Sequence, residues 1–79
     1  MNLFYLRYFV TLAKVQHYTK AAEQLCIAQP SLSHAISSLE SELGVKLFKK
    51  NGRNVTLTKY GKSFLTDAEE ILEKLDTSV

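Results

Sequence analysis

The strongest constraint on this chain is a short helical segment, a break of about four residues, and then a second helical segment. The first segment runs from Thr19 to Leu25, with Thr19 placed as its cap. The second begins near Pro30, which suits the first turn of a helix because proline has no N–H to leave unpaired. Two helices joined so closely must cross steeply. The pattern therefore predicts a helix-turn-helix at about residues 18–37.

The second segment has an apolar side and an outer side rich in small polar groups. Its predicted buried stripe consists of Leu32, Ile36, Leu39 and Leu43. Its outer side carries Ser31, Ser33, His34, Ser37 and Ser38. A solvated surface would explain such a side, but surface helices usually carry Lys and Glu because serine is a poorer helix former. We therefore favour contact with base edges and phosphates of DNA.

Charge is distributed unevenly along the chain. The 79 residues are 46% apolar and 23% charged, which predicts one small folded domain. The net charge of +2 is weak evidence, but residues 46–62 contain six basic residues and no acidic ones. Residues 63–79 contain five acidic residues and one basic residue. This asymmetry indicates that the middle of the chain meets a polyanion while the end faces water or protein.

Other functional classes find little support in the sequence. The single cysteine, Cys26, excludes an internal disulfide, fits a reducing compartment and is interpreted as a small buried hydrophobe. His17, Cys26 and His34 match no metal-ligand spacing, so we expect no catalytic site, metal or cofactor in this domain. With no segment of membrane-spanning length or secretory leader, we expect a soluble, cytoplasmic protein without membrane contact.

The chain opens with a helix that is more apolar than one buried edge requires. Asn2 can cap a helix from Leu3 to about Val15 or Gln16. The predicted buried face is Leu3, Leu6, Phe9, Val10 and Ala13, and the apolar residues partly outside it are Phe4, Tyr5, Tyr8 and Leu12. A wide core contact and packing on another subunit both explain this excess.

A β-hairpin is predicted after the helix-turn-helix. Gly44 is suited to the left-handed position that ends a helix, with Val45 as its apolar contact. Short segments at residues 45–49 and 54–57 flank an Asn-Gly pair, the strongest short hairpin signal. The exposed tip would carry Lys49, Lys50 and Arg53. Charge at a turn also keeps a hairpin soluble, but the absence of acidic residues favours a DNA-contacting wing at about residues 46–57.

The last predicted helix covers residues 59–79 and begins after Thr58, its cap. Its apolar seam consists of Phe64, Leu65, Ala68, Ile71, Leu72 and Leu75. Because such a helix outreaches a domain this small, we expect the seam to pair with a second copy rather than with the chain's own core. The last three residues contain no helix stop, so we expect the chain to be a fragment of a longer protein.

The residues in this order resemble the N-terminal domain of LysR-type bacterial transcriptional regulators. The resemblance covers essentially the whole chain from Leu6 and rests on residues 18–22 (YTKAA), 29–34 (QPSLSH), Ile36, 39–40 (LE), 43–48 (LGVKLF), 52–53 (GR), 57–58 (LT) and Gly61. It implies a mainly α fold: a winged helix-turn-helix at residues 1–58, with three helices and a two-stranded wing, followed by a linker helix. It also implies a homodimer through that helix, binding to interrupted inverted repeats, and an absent C-terminal domain that would bind a small-molecule effector and support a tetramer.

The resemblance assigns roles to individual positions. The base-contacting positions fall on Gln29, Pro30, Ser33, His34 and, in the wing, Arg53. Gln29 can read adenine, Pro30 can contact a thymine methyl, and Arg53 suits a narrow A·T-rich minor groove. The expected contacts to the DNA backbone are Ser31, Ser37, Ser38 and Lys50.

The chain departs from the family pattern at two positions. The family usually has arginine where this chain has His34, and histidine cannot form the two-pronged contact with guanine. Ala28 stands where a serine or threonine helix cap is more common, at a cost of about 1 kcal/mol. The alternative function is a winged helix that contacts only proteins, since a fold does not fix its function.

Overall fold

The computed structural model describes residues 1–77, and within them the predicted order of elements is present. The elements are α1 (Leu3–Val15), α2 (Tyr18–Leu25), α3 (Gln29–Leu43), β1 (Phe48–Asn51), β2 (Asn54–Leu57) and α4 (Lys59–Thr77). The two strands pair antiparallel, which confirms the predicted class, a winged helix-turn-helix followed by a C-terminal helix. Ser78 and Val79, the end of the predicted last helix, lie outside the described residues.

All the elements contribute to one core centred on Phe9. Its ring contacts Phe48 of the hairpin at 5.4 Å and Phe64 of α4 at 5.0 Å, measured between ring centroids. The largest fully buried side chains are Phe9, Leu12, Leu32, Ile36, Leu39 and Leu47. Because α4 and the hairpin share this core, the expected domain boundary after residue 58 lies between segments that pack together.

Two predicted buried stripes need correction. In α1, Leu12 is fully buried, whereas Leu3 is 46% exposed. The core contacts α1 over a wider face than one stripe, so Leu12 belongs inside and Leu3, at the free end of the helix, does not. In α3, Leu43 is 37% exposed, because the helix ends at this residue and leaves the core.

The helix ends follow local hydrogen bonding. The Asn2 side chain accepts the Phe4 N–H at 2.8 Å, which confirms the predicted start of α1. Gly44 ends α3 with a φ of 72° and donates its N–H to the Glu40 carbonyl, also as predicted.

The predicted cap of α2 was wrong. The helix begins at Tyr18, and the cap is His17, whose Nδ1 accepts the Lys20 N–H at 3.2 Å. Thr19 therefore lies inside the first turn. An unprotonated imidazole nitrogen is an acceptor like the oxygen of a serine or aspartate, so histidine can serve at this position.

Cys26, predicted to be buried, is exposed. It ends α2 in the left-handed conformation, with a φ of 58°. This turn directs the flanking Leu25 and Ile27 toward the core and leaves the Cys26 thiol in solvent.

The first strand of the hairpin is shifted relative to the prediction, whereas the second, Asn54–Leu57, has the predicted bounds. Asn51 pairs with Asn54, so the turn consists of Gly52 and Arg53, and the first strand is Phe48–Asn51 rather than residues 45–49. Gly52 has a φ of 66°, which suits the first central position of a type II′ turn. Docking of Phe48 and Val55 on the core selects this register.

The base of α4 is packed against the hairpin. The Thr58 hydroxyl accepts the Gly61 N–H at 3.1 Å, which confirms the predicted cap, and donates to the Lys46 carbonyl at 2.6 Å. Gly61 is buried because α4 passes directly over the Leu47 carbonyl.

Farther along α4, Ala68 is fully buried in the chain's own core. Ala68 is therefore a correction to the predicted seam, since a side chain without exposure cannot contact a second copy.

Candidate nucleic-acid interface

The outer side of α3 is a polar surface open to solvent. Gln29, Pro30, Ser31, His34 and Ser37 are exposed, and Ser33 and Ser38 are half-buried. Within residues 1–77, none of the four serine hydroxyls on this side (Ser31, Ser33, Ser37 and Ser38) has a hydrogen-bond partner in the chain, so each can bond to another molecule.

The first turn of α3 is held by backbone hydrogen bonds rather than by a side-chain cap. Its cap position, Ala28, makes no side-chain hydrogen bond, as its sequence implied. Pro30 occupies the first turn and lacks an N–H, and the Ser31 and Leu32 N–H groups both bond to the Ala28 carbonyl, at 3.0 and 3.2 Å.

His34 is held by an aromatic neighbour on α1. The ring of Tyr5 meets the imidazole edge-on, with centroids 6.4 Å apart and planes at 88°. Tyr5 is half-buried and His34 is exposed, so the contact supports one side of the imidazole and leaves the rest open. The residue that departs from the family pattern is thus oriented by the fold.

The tip of the hairpin carries the predicted basic residues. Arg53 occupies the second position of the two-residue turn, and Lys49 and Lys50 precede the turn on β1. All three are exposed. Asn54, the first residue of β2, is also exposed, so the tip is polar on both strands.

A cleft separates the hairpin from the helix-turn-helix and has a volume of about 540 Å³. Its lining includes Tyr18 and Glu40 on one side and Lys46, Lys50 and Arg53 on the other. Burial, and secondarily the negative charge of Glu40, raises the pKa of Tyr18 above its ordinary 10.0.

A shallower hollow of about 280 Å³, lined in part by Ser37, Ser41, Glu40 and Lys46, continues from this cleft onto α3. The two concave regions share Glu40 and Lys46. They therefore join the outer side of α3 to the wing.

The sequence interpretation missed Tyr18, Glu40 and Lys46 as parts of this surface. Lys46 was visible in the basic run. Glu40 and Tyr18 are adjacent only in the folded chain, where α2, α3 and the wing meet, so no spacing along the sequence indicated them.

The six residues predicted to contact a second copy divide into two groups. Phe64, Leu65, Ala68 and Leu72 pack against the chain's own core. Ile71 is 42% exposed and Leu75 is 38% exposed, which leaves two large apolar side chains one turn apart on α4.

The described residues form neither a metal-binding cluster nor a membrane-spanning helix. Among residues 1–77, no cluster of three or more His, Cys, Asp or Glu side chains could hold a metal ion. No helix in this range is both long and apolar enough to cross a membrane.

Comparison with known proteins assigns the fold to a family. A family model described as "bacterial regulatory helix-turn-helix protein, lysR family" matches residues 3–62. The chain belongs to the LysR family. It is 47% identical to the HTH-type transcriptional regulator BudR of Klebsiella aerogenes over 79 residues, which are 100% of this chain and 55% of BudR.

Solved LysR-family structures share the whole fold. The crystal structure of the CbnR_DBD–DNA complex has a TM-score of 0.94 at 36% identity and covers 99% of this chain and 90% of that chain. The BenM_DBD/benA site 1 DNA complex has a TM-score of 0.93 at 45% identity and covers 99% of this chain and 91% of that chain. The chain spans about a quarter to about half the length of the curated relatives it matches. The LysR family is a family of transcriptional regulators and not of enzymes.

Proposed function

We propose that this chain is the part of a LysR-type transcriptional regulator that binds double-stranded DNA sequence-specifically. The observation that carries the proposal is the likeness, over 99% of the chain, to domains whose structures were solved on DNA. The polar outer side of α3 supports it, because its serine hydroxyls have no hydrogen-bond partner among the described residues 1–77. A major groove about 12 Å wide accepts a helix presented in this way.

The start of α3 would read bases in the major groove. Gln29, Pro30, Ser33 and His34 lie in its first two turns, where a helix entering the groove end-on brings side chains to base edges. His34 can exchange one hydrogen bond with a base, whereas an arginine would make two to guanine. A base preference different from that of arginine-bearing relatives is therefore expected at this position.

The wing would contact the neighbouring minor groove. Arg53, at the tip, carries a charge that a narrow A·T-rich groove attracts. Ser31, Ser37, Ser38 and Lys50 would bond to phosphates, which fix the position of the domain without selecting sequence.

A homodimer would form through α4. Ile71 and Leu75 offer an exposed apolar contact. The helix has Lys59 and Lys62 near its start and acidic residues toward its end. Two copies packed antiparallel would place the basic end of each helix beside the acidic end of the other. Such a dimer would bind two half-sites arranged as an interrupted inverted repeat.

Three further expectations concern a longer protein, since the relatives are longer than this chain. They are a C-terminal domain that binds a small-molecule effector, a tetramer, and a cytoplasmic location. The proposal gives this chain no catalytic role.

Titration of a labelled mixed-sequence duplex at two salt concentrations tests the proposal. We expect tight binding at low salt, with log affinity falling linearly as log salt rises. Arg53→Ala should weaken binding by about tenfold, in the range for a lost base contact. Lys14→Ala removes the same charge from α1, where Lys14 pairs with Glu69 at 3.8 Å, and should change affinity little. No binding at low salt would contradict the proposal and favour a module that contacts only proteins.

A further inference from the structure

Glu40 is an acidic residue at the inner edge of a surface otherwise suited to DNA. It lies in α3, seven residues after Ser33 and therefore on nearly the same side of the helix. Only 13% of its side chain is exposed. Its Oε2 accepts the Leu47 N–H at 2.8 Å and the Phe48 N–H at 3.4 Å, and its Oε1 lies 3.7 Å from the Lys46 ammonium. A carboxylate so enclosed needs such partners, and they are the first backbone groups of the wing.

The other backbone hydrogen bonds that hold the wing connect it to the end of α1 and to the residue before α4. The Val55 N–H bonds to the Gln16 carbonyl at the end of α1, and the Thr58 N–H before α4 bonds to the Leu47 carbonyl, both at 3.0 Å. Within residues 1–77, the Glu40 carboxylate accepts every hydrogen bond that joins α3 to the wing, residues 46–57.

We infer that Glu40 is a positioning residue for DNA binding, which fixes the wing relative to α3 so that Arg53 reaches the minor groove while α3 occupies the major groove. The inference rests on the proposed DNA-binding function. It assigns Glu40 no direct contact with DNA, whose phosphates would repel a carboxylate.

The hairpin is long enough that a small rotation at its base, beside Glu40, would displace its tip. From Phe48, beside the carboxylate, to Gly52 at the tip are four residue steps, or about 13 Å of strand. A tilt of about 10° at the base would move the tip by roughly 2 Å over that length. Hydrogen bonds to base edges tolerate only a few tenths of an ångström, so a loosened base would lose the contacts of Arg53.

The surroundings of Glu40 agree with a fixed carboxylate. Tyr18 lines the same cleft, and its pKa is raised by burial and, secondarily, by the negative charge of Glu40. The Lys46 ammonium lies 3.7 Å from Glu40 Oε1, but the Lys46 side chain is 82% exposed, so water screens this ion pair. The main anchoring groups are therefore the two backbone N–H groups, whose direction the strand fixes.

Charge alone predicts that Glu40→Ala binds DNA more tightly, whereas a positioning role predicts weaker binding, so affinity distinguishes the two. Replacing Glu40 by a neutral residue raises the net charge by one and should strengthen attraction to DNA. Glu42→Gln makes the same change of charge on the same helix, at a side chain that is 44% exposed and paired with the N-terminal ammonium at 3.3 Å. Glu42→Gln is therefore the matched control.

A double-mutant cycle with Arg53 distinguishes positioning from general stability. Affinity for a labelled 30-base-pair duplex containing an A·T-rich tract is measured for wild type, Glu40→Ala, Arg53→Ala and the double variant, with circular dichroism and urea unfolding on each. We expect Glu40→Ala to weaken binding by up to about tenfold, and the double variant to bind no more weakly than Arg53→Ala alone. Glu40→Gln keeps an oxygen that accepts the Leu47 N–H, and should bind like the Glu42→Gln control.

The cycle also runs with Glu40→Asp, which keeps the charge but shortens the reach to Leu47 by one methylene, so a failure of Glu40→Ala to fold leaves the test intact. We expect Glu40→Asp to lose less DNA affinity than Glu40→Ala, and to lose none when Arg53 is already alanine. Independent losses in the double variants, or unchanged affinity in Glu40→Ala or Arg53→Ala, would overturn the inference. Failure of the wild type to bind at low salt would instead overturn the proposed function.

Discussion

Gly61 is the residue where the junction between α4 and the wing can be tested most directly. A Cβ built at this position would lie much closer to the Leu47 carbonyl oxygen than van der Waals contact allows. It would also lie 2.9 Å from Leu57 Cδ2 and 3.1 Å from the Leu47 carbonyl carbon. Because two of these neighbours are backbone atoms, a side-chain rotation cannot relieve the contact. Gly61→Ala must therefore displace the first turn of α4 from the lead-in to β1.

The size of the effect follows from the bonds at this junction. Alanine favours a helix over glycine by about 1 kcal/mol. Against that stands overpacking at about 1–3 kcal/mol. Displacement would also strain the Thr58 bonds to the Lys46 carbonyl at 2.6 Å and the Leu47 carbonyl at 3.0 Å, each worth about 1 kcal/mol. The net expectation is a loss of about 2–3 kcal/mol in the free energy of unfolding.

The assay is urea unfolding followed by circular dichroism at one fixed protein concentration, since dimerisation also affects stability. The loss corresponds to a fall of about 10–20 °C in Tm for a domain of this size. Ser63→Ala, at an exposed position of the same helix, is the control and should be neutral or slightly stabilising. A Gly61→Ala variant as stable as wild type would refute the close packing of α4 on Leu47.

Three other variants test separate features of the fold. His17→Ala removes the cap of α2 and should lower the free energy of unfolding by about 1 kcal/mol, whereas His17→Asp should retain most of it; equal losses in urea unfolding would contradict the cap. Since burial and Glu40 raise the pKa of Tyr18, the folded state holds that proton more tightly, and the resulting stability is present below pH 10 and lost above it. Tyr18→Phe should therefore lose less stability than wild type between about pH 9 and pH 11 in parallel urea titrations, and identical losses would count against the shift. Ile71→Glu with Leu75→Glu should shift the protein toward monomer in sedimentation velocity, and a persistent dimer would place the interface on another surface.

The sequence predicted best those features that depend on neighbouring residues. Asn2, Gly44 and Thr58 end or begin helices through bonds to residues a few positions away, and all three act as expected. His17 was missed because histidine is an uncommon cap. The first strand was shifted because Lys50 and Asn51 were assigned to the loop, and only the docking of Phe48 and Val55 on the core fixes their pairing with β2.

Features that depend on distant contacts could not be read from spacing. The apolar period of α4 predicts a buried side but does not identify its partner, so Ala68 was assigned to a second copy although it lies in the chain's own core. The sequence did not indicate that Glu40 binds the wing. The Leu47 and Phe48 N–H groups reach its carboxylate only because the chain turns at Gly44, after the end of α3.

Selection from a pool of random duplexes tests the central claim most directly, because it requires both base reading by α3 and a two-fold arrangement of domains. The account predicts enrichment of an inverted repeat whose half-site centres are about 10 base pairs, or a multiple of that, apart, with A·T-rich sequence where the wing tips lie. Sequencing of pools bound by Arg53→Ala should show loss of the A·T preference while the half-sites remain. Binding at low salt without enrichment of any sequence would contradict the claim that this domain reads bases.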